Sequence, residues 1–198
     1  MIHPNAIIHP NAKVHKTVEI GPFSVVDEHV TIEAGCILGP QVYITGHTLI
    51  GNENRFHAGC VIGDLPQDVK YQGEQTRLII GEQNTFREHV TVHRSNCLEE
   101  DTVVGSGNML MANSHVGHNS SIGDRTILAN GALVGGHSVV GDGAFLSGNA
   151  VVHQFCRVGT LSMMQGCSGV SLDLPPFTIV RGINGMCGLN IVGLKRAG

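Results

Sequence analysis

The chain has 198 residues, a net charge of −4 with His neutral, 41% hydrophobic residues, 27 Gly and only 4% aromatics with no Trp. Such a balance argues against a general nucleic-acid binder, and no stretch combines the length and apolarity of a membrane span. An aliphatic, Gly-rich chain of this size predicts one domain with many tight turns between short, similar strands.

The opening segment, Met1-Ile2-His3-Pro4-Asn5, has no basic stretch followed by an apolar run and so is not a secretory signal. From Ile2 a step of six residues meets Ile8, Val14, Ile20, Val26, Ile32, Leu38, Ile44, Ile50, Phe56 and Ile62. That period fits neither a helix nor a lone strand. It fits a strand plus a turn, repeated, with three units per coil stacking their apolar residues into one core. The reading is therefore an all-β parallel β-helix of hexapeptide repeats. Between Ile62 and Ile80 the period meets Asp68 and Glu74, so residues 63–78 are expected to leave the coil as a protruding loop, a common carrier of function. From Ile80 the ladder resumes through Phe86, Val92, Leu98, Val104, Leu110, Val116, Ile122, Leu128, Val134, Val140, Leu146, Val152, Val158, Met164 and Val170. Leu98 keeps phase, so residues 95–101 are expected to form a coil with a polar corner. The pattern fails after Val170, with Pro175-Pro176 as its end. Residues 1–190 form the β-helix domain and 191–198 an exit segment. The six Cys form no CxxC pair and are expected as small buried hydrophobes in a reducing, cytoplasmic protein.

The twelve His carry the chemistry. His3, His9 and His15 follow ladder residues and read as turn decoration. In His115-Val116-Gly117-His118, Val116 points into the core, which leaves both His outside it. One coil beyond His118 lies Gly136, and one further lies Gln154, with His137 and His153 beside them. Neutral His suits general-base work near pH 7, and an unshielded Gly N–H suits an oxyanion. The column predicts acyl transfer to a hydroxyl. A three-His zinc site of the γ-carbonic-anhydrase type needs two His five residues apart, and none are. No metal and no cofactor are expected.

The motifs Gln67 through Glu74, Arg87-Glu88-His89-Val90-Thr91-Val92-His93-Arg94, His115 through Asn119, Val152-His153-Gln154-Phe155, Gly166-Cys167-Ser168-Gly169-Val170 and Asn190 through Arg196 resemble the acyl-[acyl-carrier-protein]–UDP-N-acetylglucosamine O-acyltransferases of lipid A biosynthesis. The resemblance covers nearly the whole chain. It implies a left-handed coil, a homotrimer with sites between subunits, and acyl carrier protein and UDP-N-acetylglucosamine as partners. By position it implies that His118 is the base, that Gly136 N–H holds the oxyanion, and that Gln67, Asp68, Lys70, His115, His137, His153 and Gln154 line the substrate cleft, the loop coming from a neighbouring subunit. Asn190 and Arg196 would contact substrate or the phosphopantetheine arm, and Gly166 would leave room for a longer acyl chain.

The chain departs from the family pattern at three places. Asn119 stands where Asp is frequent, the stretch Arg181 through Gly188 differs, and the family's C-terminal helical domain would begin where this sequence stops. Two alternatives follow: a relative acylating another nucleotide sugar or an amine, and a non-catalytic trimeric scaffold.

Overall fold

In the computed structural model, which describes residues 1–197, the six-residue period becomes a triangular coil wound left-handed. Its three faces are parallel sheets. The first holds nine strands, from Ile7–Ile8 to Gly169–Val170, and the second eight, from Lys13–Val14 to Arg157–Val158. The third holds ten, from Glu19–Ile20 to Thr178–Arg181 plus the hairpin partner Gly185–Leu189. Most strands are two residues long, far too short to persist alone, and each is held by the coils above and below. No helix among the described residues is long and apolar enough to cross a membrane.

The ladder residues from Ile20 onward, Leu98 excepted, face the core, and most are 2% exposed or less. At roughly 1.5–3 kcal/mol for each buried aliphatic side chain, this column is the main stabilising term. Four residues after each ladder position comes a second buried column that the apolar count alone did not reveal. It admits Val18, Ser24, Val30, Cys36, Thr48, Asn54, Cys60, Asn84 and Ala132, because the corner leaves room for little more. Its polar members are paired through the stack: Asn54 Oδ1 accepts from Asn84 N at 3.0 Å, and Asn84 Oδ1 from Asn108 N at 2.8 Å. Three residues after the ladder position the backbone turns left-handed, as at Gln41, Asn113, Asn119, His137, Asn149 and Phe155. Just before it sits a residue whose N–H has no backbone acceptor, and Pro22 and Pro40, ahead of left-handed Phe23 and Gln41, occupy that place at no cost.

The coil corrects four expectations. Both irregular segments spring from one edge, between the first and second faces. Ile62 pairs with Val92 and Val92 with Val116, steps longer than the regular eighteen by twelve and by six residues. The first loop is narrower than 63–78, since Val61–Asp64 and Arg77–Ile80 are strands and Gly63 and Leu78 are buried. The second segment is an insertion rather than a coil with a polar corner: Leu98 keeps the count but is 62% exposed. Pro175-Pro176 does not end the coil, which closes once more through buried Leu174 and Val180, bridged to Val158 and Met164. Finally, Cys36, Cys60 and Cys156 are buried, but Cys167 and Cys187 are exposed. Burial pushes the Cys60 thiol up to about 12, as suits an inert core residue.

Candidate active site

The two insertions lean on the edge just below His118. The Arg94 guanidinium, beside the Tyr71 ring, donates to Gly63 O at 2.8 Å, and Arg77 grips Asp101 through two bonds of 2.8 and 2.9 Å. Asn96 Nδ2 donates to Asp68 Oδ2 at 2.6 Å, which ties the loop to the insertion. Above them opens a groove of about 350 Å³ lined by Gln67, His93, His115, His118, Gly136 and Gln154, among others.

His118 is held by Asn119. Its Nδ1 lies 2.9 Å from Asn119 Oδ1, and the same oxygen accepts from the backbone N–H of Asn96 at 3.0 Å. A backbone N–H only donates, so the atom it meets is the amide oxygen. His118 Nδ1 must therefore carry the proton, and Nε2 keeps its lone pair. The amide is locked at its other end too, with Nδ2 donating to Ser95 Oγ at 2.8 Å and to Glu100 Oε2 at 3.2 Å. The backbone N–H of Asn119 donates to Thr102 Oγ1 at 2.7 Å.

Gly136 sits one coil above. A Cβ there would stand 2.9 Å from both Cε1 and Nε2 of His118, so the imidazole occupies the space a side chain would need. No acceptor meets the Gly136 N–H among the described residues. A base with a free nitrogen and a free backbone donor thus share one point, which is the requirement for attack on a carbonyl.

The neighbouring His differ in kind. His115 Nδ1 lies 2.7 Å from Thr91 Oγ1, and burial, with smaller contributions from His93 and His118, pushes its pKa down to about 4. It is a neutral hydrogen-bonding group at every ordinary pH. His93, packed edge-on to His115 with ring centroids 4.9 Å apart, is 7% exposed and its Nδ1 is unpaired. Burial lowers its pKa as well. His137 stacks on Phe155 at 4.8 Å and stands edge-on to His118 at 5.1 Å. His153 and Gln154 are exposed at the groove's upper rim.

The structure thus brings Gln67, His115, His118, Gly136, His153 and Gln154 into one groove, with Asp68 and His137 beside it. Gln67 reaches the groove of its own chain. Lys70 is exposed on the loop, its N–H bonded to Asp68 Oδ1 at 2.9 Å. Gly166 lies on a different edge, where a Cβ would meet only Gly148 O, at an ordinary contact distance of 3.5 Å. Asn190 is buried and its amide is bonded at both ends: Nδ2 donates to Leu161 O at 2.8 Å, and Oδ1 accepts from Gly193 N at 3.1 Å. It caps the helix Ile191–Ala197 and ties it to the coil. Arg196 is exposed in that helix's last turn.

Sequence reading did not single out His93, Thr91, Ser95, Asn96 or Glu100. The last three lie in or beside an insertion whose course no period describes; His93 follows a ladder residue and was open to detection. No group of three or more His, Cys, Asp or Glu side chains among the described residues is disposed to hold a metal ion.

The bacterial transferase hexapeptide (six repeats) model matches residues 29–64 and 101–136. The acyl-[acyl-carrier-protein]–UDP-N-acetylglucosamine O-acyltransferase of Halorhodospira halophila is 44% identical over 199 residues, spanning 100% of this chain and 77% of its own length. Its counterpart in Anaeromyxobacter sp. is 44% identical over 157 residues, 78% of this chain and 61% of that protein. Among solved structures, the UDP-N-acetylglucosamine acyltransferase of Francisella novicida superposes with a TM-score of 0.97 at 38% identity, covering 100% of this chain and 74% of that one. LpxA from Acinetobacter baumannii gives 0.97 at 39% identity, covering 100% and 77%.

Proposed function

The chain belongs to the acyl-[acyl-carrier-protein]–UDP-N-acetylglucosamine O-acyltransferase family, and we propose that it moves a 3-hydroxyacyl chain from acyl carrier protein to the 3-hydroxyl of UDP-N-acetylglucosamine. The observation that carries this reading is the His118–Asn119 bond with a side-chain-free Gly136 above the ring. His118 Nε2 takes the hydroxyl proton as the oxygen attacks the thioester carbonyl. The C–O bond forms, and the tetrahedral oxyanion lies against the Gly136 N–H. Collapse breaks the C–S bond, and the departing thiolate takes the proton back from the imidazolium, leaving the ester and a free thiol. Asn119 holds Nδ1–H throughout, so the base returns to its starting tautomer without rotating.

Gln67, Asp68, His115, His137, His153 and Gln154 are the proposed groove contacts, with Lys70 meeting phosphates or the carrier arm as a mobile cation. Asn190 serves them indirectly, by anchoring the helix that carries Arg196. The protein is proposed to act in the cytoplasm as a C3 homotrimer. Support comes from the groove itself: Leu133 and Val151, which line it, remain 41% and 43% exposed, apolar surface that a second copy would cover. The test is a direct assay with hydroxyacyl carrier protein and UDP-N-acetylglucosamine, the product being read by mass spectrometry. A mono-acylated nucleotide sugar is expected. Acylation of an amino sugar alone would replace the acceptor, and a stable monomer by sedimentation at micromolar concentration would overturn the trimer.

A further inference from the structure

Acyl transfer as proposed creates a cation on His118, yet the group bonded to its Nδ1 is a neutral amide. An amide oxygen orients an imidazole but stabilises its charged form less than a carboxylate does. Several titratable groups surround this ring. Asp68 approaches from the first loop, His93 and His115 from the strands below and beside it, His137 from the coil above, and Glu100 from the short insertion. Of the two carboxylates, Asp68 is already engaged: one oxygen takes Asn96 Nδ2 at 2.6 Å and the other Lys70 N at 2.9 Å. Glu100 is placed otherwise. Its Oε2 accepts from Asn119 Nδ2 at 3.2 Å and stands 3.6 Å from His137 Nδ1.

We propose that Glu100 is a positioning residue that delivers negative charge to His118 through the Asn119 amide and orients His137 beside it; this rests on the reading of His118 as general base. The amide is conjugated. A carboxylate accepting at Nδ2 draws electron density toward Oδ1, the atom that accepts from His118 Nδ1–H. The same carboxylate oxygen lies within ion-pair reach of His137, 3.6 Å from its Nδ1, and the ring plane is set by Phe155. Asn119 itself cannot tilt away, because Ser95, Asn96 and Thr102 hold it at three other points. The Glu100 side chain is 60% exposed, so solvent screens the effect and its size is modest.

The experiment compares the full chain with E100Q, N119D and the double variant E100Q/N119D, with His118→Ala alongside, by kcat and KM across pH. Removing the charge makes the imidazolium easier to deprotonate. In E100Q the acid limb of the kcat profile is therefore expected to move to lower pH by about half a pH unit, and kcat on the plateau to fall about two- to threefold with KM unchanged. In E100Q/N119D, where residue 119 carries the charge itself, both are expected to return toward the parent. An E100Q profile that coincides with the parent's overturns the proposal. So does a KM rise with the limb unmoved, which would make Glu100 a substrate contact, and so does a shifted limb that N119D leaves unrestored. If His118→Ala keeps the parent kcat, the general-base reading falls and the Glu100 proposal with it. If His118→Ala loses activity while E100Q is silent, only Glu100's role is lost.

Discussion

One edge of the prism carries histidines along its length, and its lower and upper halves do different things with them. In the lower half, His29 and His47 stack face to face, 4.3 Å apart with 5° between planes, over a groove lined by Asn11, Lys13, Glu28 and Thr31. Neither ring meets an amide or hydroxyl among the described residues, and His29 has only a Glu28 carboxylate oxygen 3.8 Å away. In the upper half, His118 has its tautomer fixed by an amide that is itself held by Ser95, Asn96, Thr102 and Glu100. Both halves have the same repeat, the same corner and the same residue type. The difference is made by the two insertions, which leave the coil at this edge between them and lean on the upper one. A histidine on a solenoid corner is decoration until a second segment of chain determines which nitrogen is free.

The sharpest way to break that comparison is to remove one imidazole from each half. His118→Ala is expected to lower kcat by roughly 10²–10⁴-fold, the usual contribution of a positioned base, whereas His47→Ala is expected to leave kcat within about twofold. Steady-state kinetics on the two variants decide it; comparable losses would mean that the edge acts as a whole.

A second test uses pH. The His115 pKa lies near 4 in the folded chain, against 6.5 for an ordinary imidazole. Between those values the unfolded chain binds a proton that the native site refuses, so stability falls as pH drops through this window and levels off below it. The full effect is about 3 kcal/mol for a depression of this size. Urea unfolding at pH 7 and at pH 4.5 should show most of that loss in the parent and a clearly smaller one in His115→Asn. Equal losses would remove His115 as their source.

The smallest effect concerns the insertion itself. Val92→Ala in the coil is expected to cost about 1–3 kcal/mol, and Leu98→Ala less than about 0.5 kcal/mol, because Val92 is fully buried and Leu98 is exposed. Thermal unfolding of both variants tests whether residues 95–101 really lie outside the core.

The sequence by itself determined the architecture. A residue that must be apolar every six positions leaves only a short strand and a turn, stacked, and the repeat runs without ambiguity from Ile20 to Ile62 and from Val104 to Val170. It also placed His118, Gly136 and Gln154 in one column, since residues one coil apart must stack. What the count could not reach is where the coil is interrupted. Leu98 keeps the period and still lies outside, because phase says nothing about whether a unit is threaded into the stack or looped over it; only the pairing of Val92 with Val116 settles that. Asn190 was singled out by its motif; that both ends of its amide cap and tether a helix is visible only in the fold. The identity of the groups around Asn119 was a tertiary decision for the same reason. Ser95, Asn96, Glu100 and Thr102 reach it from a coil below, through an irregular segment, and no local rule of spacing relates such a segment to the residue on which it comes to rest.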